Sequence, residues 1–353
     1  MDSRIVNESY SDSTLDNEIA DLERKLAIAK AKRPQQLTPH SHSSPTNSTP
    51  PLLASLHDTS FHFLLLLSDS ALPLGSFAFS SGLESYLAHQ KLVSRQPTSF
   101  ASFLPLSISS YASTTLPFAL AAHRDPASLA TLDDAQDATI VCTVGRRASV
   151  AQGRALLGIW ERSFAGTNTS IPGTGVMDGK GEGGEGQRQR EGLEALRAFS
   201  ALLKTSSSST STSTSTSTST STSTSPPSST ATAAAAHETT TCANDPLPPP
   251  AASAHLAPLF GAICRVVGLS LEQTAYIFLL GHVKALVSAA VRAGMFGPYQ
   301  AQKTLASGTV QGLVSAMIER EWETNVEEAG QNVPVMDLWV GRHEVLYSKI
   351  FNS

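Results

Sequence analysis

From Thr205 to Ser225 every residue is serine or threonine, and no other feature restricts the fold as much. A run like this has no apolar side chain to bury, so it cannot offset the entropy lost on ordering its backbone. Threonine favours strands, but a strand without an apolar face has nothing to pack against. The run sits inside a longer span, 166–254, which opens Gly-rich, carries a short helical patch at Leu193–Leu203 and closes on Pro246–Pro250. We expect that whole span to be a disordered insertion without chemistry. Residues 1–57 read as a disordered tail, with a weak helical stripe at Ile19, Leu22, Leu26 and Ala29 followed by a Ser/Thr/Pro/His-rich stretch. Two blocks remain, 58–165 and 255–353. Together they hold roughly two hundred residues, enough for one ordinary core built from both sides of the insertion.

Both blocks show helical periodicity. Phe100, Phe103, Leu104, Ser107, Ile108 and Tyr111 follow helical spacing behind a Pro97-Thr98-Ser99 start, and Pro117 is expected to end or kink that helix. A stripe from Leu132 through Val144, Ala148, Ala155 and Leu156 to Trp160 predicts one long amphipathic helix, with Arg146, Arg147, Arg154 and Arg162 on its wetter side. In the second block, Gly268 should end one helix, and Ser270-Leu271-Glu272-Gln273 is a capping box opening the next. That helix carries Tyr276, Leu279, Leu280, Val283, Val287 and Val291. With His282 and Lys284 inside it, the run reads as a buried helix and not a membrane span. Val310 to Ile318 predicts another helix, and Val335 to about Phe351 a last one. No segment alternates with period two. The expected fold is all-α, a single helical bundle interrupted by the insertion.

Composition and motifs exclude much chemistry. The net charge of -5 supplies no basic field for a polyanion, so nucleic acid is not an expected partner. Three cysteines, Cys142, Cys242 and Cys264, form no C-x-x-C pair, which suits a reducing compartment. The polar, acidic start Met1–Ala20 does not read as a secretory signal, so a cytoplasmic location is expected. Gly179-Lys180-Gly181 lacks the hydroxyl residue and preceding strand of a phosphate-binding loop. No G-x-S-x-G elbow occurs. His62, His89, His123 and His282 each stand alone, and a lone helical histidine is more often a hydrogen-bonded or surface group than a ligand. His40 and His42 lie in the tail without companion thiolates. We expect no catalytic residues, no metal site and no cofactor.

Two stretches resist a purely structural reading. In Ser68–Glu84, a proline, two glycines and repeated hydroxyls interrupt an apolar sequence, as a tight turn or close backbone approach demands. The other is Arg342–Ser353, where Tyr347, Ile350 and Phe351 interleave with Arg342, His343 and Lys349, whereas most chains end in frayed polar residues. A last helix docked on the core and a tail that orders on a partner both fit this pattern. Tyr347 and Phe351, four apart, are expected on one helical face.

These stretches resemble the signatures of the UreF family: an opening L-x-x-x-D/S-x-x-x-P-x-G-S/A-F/Y-x-x-S-x-G-L-E at Leu65–Glu84, and a closing H-E-x-x-Y-S-R-L-F-x-S at His343–Ser353. Weaker matches lie at Leu116-Pro117, His123-Arg124, Arg147–Arg154 and Ala301-Gln302. The resemblance covers both blocks and implies an all-α homodimer that bridges a UreD/UreH-type accessory protein and the GTPase UreG. The complex they form would deliver nickel to apo-urease, with nickel handled by the complex and not held as a cofactor. It implies a chaperone or scaffold and not an enzyme, with Gly75, Phe77, Gly82, Glu84, Arg342, His343, Glu344, Tyr347, Lys349 and Phe351 as partner-binding residues. A catalytic alternative is an arginine finger offered to UreG by Arg146, Arg147, Arg154 or Arg342; a helical metalloenzyme rests on the histidines alone. The sequence departs from the pattern at Lys349, where the family has arginine, and at Phe77, where tyrosine is common. Lysine cannot make the planar bidentate contact of arginine.

Overall fold

The computed structural model describes Arg24 and residues 59–93, 99–165, 184–211 and 252–352. The tail assigned to 1–57, apart from Arg24, and residues 166–183 and 212–251 of the insertion lie outside the described residues. The described part from Thr59 onward holds eleven α-helices, and no strand occurs among the described residues. The helices are α1 (Thr59–Ser68), α2 (Leu83–Val93), α3 (Phe100–Arg124), α4 (Leu129–Thr139), α5 (Thr143–Ile159), α6 (Gly184–Ser211), α7 (Leu256–Val266), α8 (Leu271–Arg292), α9 (Pro298–Leu305), α10 (Gly308–Glu321) and α11 (Pro334–Arg342). The all-α expectation holds.

The centre of the bundle is the pair α3 and α7, one from each side of the insertion. Every residue of α7 except Arg265 is buried, which a helix achieves only when neighbours cover it all round; α3, α5, α6 and α4 do so. Gly261 permits the tightest approach. A Cβ there would lie 2.0 Å from the carbonyl oxygen of Ala119 on α3, so any other residue would force the two axes apart. The apolar α8 has the length and hydropathy of a membrane span, yet Ala275, Ile277, Phe278, Leu279, Val283, Leu286 and Val287 are buried in the bundle. Its start is the expected capping box: Ser270 Oγ accepts from the Gln273 N–H at 3.1 Å, and the Gln273 side chain accepts from the Ser270 N–H at 2.9 Å.

Four expectations are corrected. First, α3 does not end at Pro117 but runs on to Arg124, with Pro105 early in it. Pro117 has no N–H for the carbonyl of Ser113, and that oxygen accepts from the Gly330 N–H at 3.1 Å instead, so the lost bond is replaced from another segment. Second, the long helix expected from Leu132 to Trp160 is two helices, α4 and α5, broken at Ile140–Cys142. The break follows Thr139-Ile140-Val141, a β-branched run of low helix propensity, and Ile140 and Cys142 adopt extended backbone. Third, the insertion is not featureless. Its helical patch lies within α6, whose Leu196, Phe199 and Ser200 are buried as the helix packs on α7. Fourth, the last helix stops at Arg342, continues as a single 3-10 turn over His343–Val345, and gives way to an irregular, non-helical strap with bends at Tyr347-Ser348 and Ile350-Phe351.

Where the chain returns from the insertion it is held by charge. Asp133, fully buried on α4, accepts from the N–H groups of Ser253, Ala254 and His255 at 2.7, 3.0 and 2.6 Å. His255 then meets Asp137 Oδ1 through Nε2 at 2.8 Å and Ser149 Oγ through Nδ1 at 3.0 Å. Arg146 donates to Asp137 at 2.5 and 3.1 Å and to Ser253 Oγ at 3.2 Å. Desolvation alone would raise the Asp137 carboxyl, but the hydrogen bonds from Arg146 and His255 prevail and hold it below the usual carboxylate range. The break between α4 and α5 lets the two helices face this one stretch of backbone together.

Candidate partner-binding surface

The two unusual sequence stretches are in contact. Gly75 opens a 3-10 turn, Ser76–Ala78, in a left-handed conformation, and the chain then enters α2 past Gly82. Gly82 has φ +84°, and a Cβ there would lie 3.1 Å from the Val340 backbone nitrogen and 3.2 Å from Trp339 Cβ on α11. A positive φ and a helix laid against the backbone both call for glycine. This places Glu84, in the first turn of α2, beneath the C-terminal strap.

Glu84 organises that strap. Its Oε1 accepts from the Ile350 N–H at 2.6 Å, and its Oε2 from the Phe351 N–H at 3.2 Å and the His343 ring Nε2 at 3.0 Å. Hydrogen bonds to a carboxylate are roughly twice as strong as neutral ones. The Asn352 N–H donates to the Ala78 carbonyl at 2.8 Å, closing the strap onto the 3-10 turn. Phe351 is 4% exposed, with the Arg292 guanidinium 4.4 Å from its ring centroid, a cation–π contact. Farther out, Arg147 on α5 donates to Glu344 at 2.5 Å and to the Asn352 carbonyl at 3.3 Å, while Lys349 reaches the Glu344 carbonyl at 3.0 Å. Hydrogen bonds from Arg147 and then Lys349 hold the Glu344 carboxyl below its ordinary value.

The ten residues singled out therefore divide. Gly75, Gly82, Glu84, His343 and Phe351 shape or hold the junction. Glu344 and Lys349 form a latch at its edge, and Arg342 meets His89 Nδ1 at 3.4 Å. Phe77 and Tyr347 point outward. Tyr347 is fully exposed, and Phe77, Val345 and Ile350 are 65%, 77% and 65% exposed. Because the strap is not helical, Tyr347 and Phe351 do not share a helical face: one lies in solvent and the other in the core. Sequence reasoning missed Arg292 and the Ala78 carbonyl as partners of the strap, and read Arg147 as a wetter-side, family-matching residue and a possible finger but not as a partner of Glu344. Charge interleaved with Tyr347, Ile350 and Phe351 was the available signal, but the partners outside the strap lie 59 (Arg292 to Phe351) to 274 (Ala78 to Asn352) residues away along the chain.

Three of the four finger candidates are engaged within the fold. Arg146 is bound to Asp137, Arg147 to Glu344 and Arg154 to the Ser253 carbonyl at 3.2 Å. The histidines are spread over separate partners: His123 meets the Leu269 carbonyl, and His282 meets Ser107 Oγ. Among the described residues no three His, Cys, Asp or Glu side chains gather as a metal site. Cys142 and Cys264 are free thiols.

The fold and this junction define an all-helical protein whose two distinctive motifs make one composite surface. Residues 94–308 match the family model described as UreF, a span that lies between the two motifs. An uncharacterized urease accessory protein UreF-like of Schizosaccharomyces pombe is 32% identical over 84% of this chain and 98% of its own length. Urease accessory protein F of Oryza sativa is 28% identical over 87% and 88%. Urease accessory protein 6 of Cryptococcus neoformans is 24% identical over 85% of this chain and all of its own length. The chain belongs to the UreF family.

Proposed function

We propose that the chain is a non-enzymatic scaffold of urease maturation. It bridges a UreD/UreH-type accessory protein and the GTPase UreG so that nickel enters apo-urease, acts in the cytoplasm and works as a homodimer. Nickel is cargo of the assembly and not a resident cofactor. The observation that carries this reading is the pinned strap. Glu84 fixes its backbone, while Val345, Tyr347 and Ile350 project from it and Phe77 projects from the 3-10 turn to which Asn352 is bonded. Exposed aromatic and aliphatic side chains on a backbone ordered beforehand cost little entropy on binding, the property of interface anchors. A catalytic arginine finger is the weaker reading, because Arg146, Arg147 and Arg154 are bonded to internal partners, which leaves Arg342, with His89 Nδ1 at 3.4 Å, as the remaining candidate. The test is co-purification of UreG and the UreD-like protein with the full chain at low and physiological salt. Recovery of both supports the scaffold; recovery of neither under both conditions contradicts it.

A further inference from the structure

An open cleft of about 600 Å³ lies where the ends of α3 and α7 meet the turn into α8 and the start of α6. Three arginines line it: Arg124 from α3, Arg188 from α6 and Arg265 from α7. Among the described residues, no Asp or Glu does. The turn Gly268–Ser270, also part of the wall, is fixed from several directions. The Gly268 and Leu269 N–H groups donate to the Arg265 and Cys264 carbonyls, closing the end of α7. The capping box holds Ser270. The buried His123 ring meets the Leu269 carbonyl through Nε2 at 2.8 Å. The arginines are therefore presented around a rigid backbone.

Arginine near a helix C-terminus is ordinary, because the carbonyl end of the helix dipole attracts cations. That accounts for Arg124 and Arg265 taken singly, but not for the cleft they share. Leu271 on the same wall opens α8, and a helix N-terminus repels cations and attracts anions. Arg188 lies in the second turn of α6, again toward a positive end. Among the described residues no carboxylate pairs with Arg124 or Arg188. Arg124 donates to the Trp322 carbonyl at 2.6 Å and lies 5.9 Å from the centroid of its ring, while Arg188 is exposed. Burial, together with the charges of Arg265 and Arg124, holds His123 below its ordinary value, so the field at the wall is positive. Glu272, in the first turn of α8, is off the wall and is held by its own backbone N–H and the Ser270 hydroxyl. The net charge of -5 for the whole chain conceals this local excess.

We propose that this cleft binds an oligophosphate, a small anion of two or more linked phosphate groups, through the arginines converging on the α8 N-terminus. Each planar guanidinium can take two phosphate oxygens at once, and a cleft of about 600 Å³ has room for more than a single phosphate. The apolar part of the wall is small, Leu269 and Leu271, and offers little to an organic body. No strap residue lines the cleft, so the site stands or falls apart from the scaffold reading.

Calorimetric titration of tripolyphosphate into the full chain, without magnesium and at low and physiological salt, tests this. Tripolyphosphate should bind with a Kd of about 0.1 mM or tighter, weaken as salt rises, and exceed orthophosphate about tenfold or more in affinity. ATP carries the same phosphate chain and should bind no tighter than tripolyphosphate. Arg188→Glu, at an exposed position, should leave the melting curve unchanged and weaken tripolyphosphate about tenfold or more. Arg197→Glu makes the same charge change on the same helix, at an exposed position outside the cleft. It lies about 13 Å farther along the axis, beyond the Debye length at physiological salt, and should alter affinity by less than about threefold. Three outcomes would overturn the proposal: no tripolyphosphate binding at about 1 mM, unchanged binding by Arg188→Glu, or an equal loss from both variants. ATP binding about tenfold tighter than tripolyphosphate would overturn the free oligophosphate as ligand and assign the cleft to a nucleotide.

Discussion

Asp133 and Glu84 do the same job in different surroundings. Each accepts hydrogen bonds from consecutive backbone N–H groups of a remote segment, Ser253–His255 for Asp133 and Ile350-Phe351 for Glu84. Around Asp133 everything faces inward: Ser253, Ala254 and His255 are all buried, and Arg146, Ser149 and Arg154 add further bonds to the same stretch. Around Glu84 the backbone is held while Val345, Tyr347 and Ile350 remain in solvent. The first carboxylate closes the core where an insertion would otherwise split it. The second displays a surface. A buried anchor alone therefore does not reveal function; what separates the two sites is the direction taken by the neighbouring side chains.

The comparison breaks most readily at Asp133. Asp133→Ala removes three charge-assisted bonds and strands three N–H groups in the core, at a cost of about 3–5 kcal/mol. The melting temperature should fall by about 10 °C or more, and a fall of under about 3 °C would show that the re-entry stretch is held by other means. Glu84→Ala should cost less, about 1–3 kcal/mol. Amide exchange should quicken at 343–352 while α3, α7 and α8 keep their protection, so that the strap loosens as a unit.

A smaller effect depends on pH. Burial holds His282 well below its ordinary value of 6.5, so the unfolded chain binds its proton first as pH falls. Stability is then complete above about pH 6.5 and declines as pH drops toward the folded value. About 1–2 kcal/mol should be lost between pH 6.5 and 5. Denaturant titrations across that range should show the slope, and His282→Gln should flatten it. Tyr347→Ala, at a fully exposed position, should change stability by less than about 0.5 kcal/mol.

The sequence foretold local features better than distant ones. The capping box at Ser270, the end signal at Gly268 and the apolar stripe of α8 are written in neighbouring residues, and each was legible. The passage of α3 through Pro117 depends on Gly330, which supplies the N–H that reaches Ser113, and no local rule finds such a partner. Asp133 reads as an ordinary acidic residue near a helix start because the amides it binds lie beyond the insertion. The end motifs were visible as oddities. That they touch each other, with Phe351 inward and Tyr347 outward, follows from a bent, non-helical strap that helical spacing had hidden.

The most direct test is binding of UreG and the UreD-like protein to Tyr347→Ala/Ile350→Ala, measured beside its melting curve. An outward-facing strap predicts that capture of at least one partner falls about tenfold or more while the melting temperature stays within about 2 °C of the parent. Unchanged capture of both partners, with the fold intact, would contradict the claim that this strap is the binding surface.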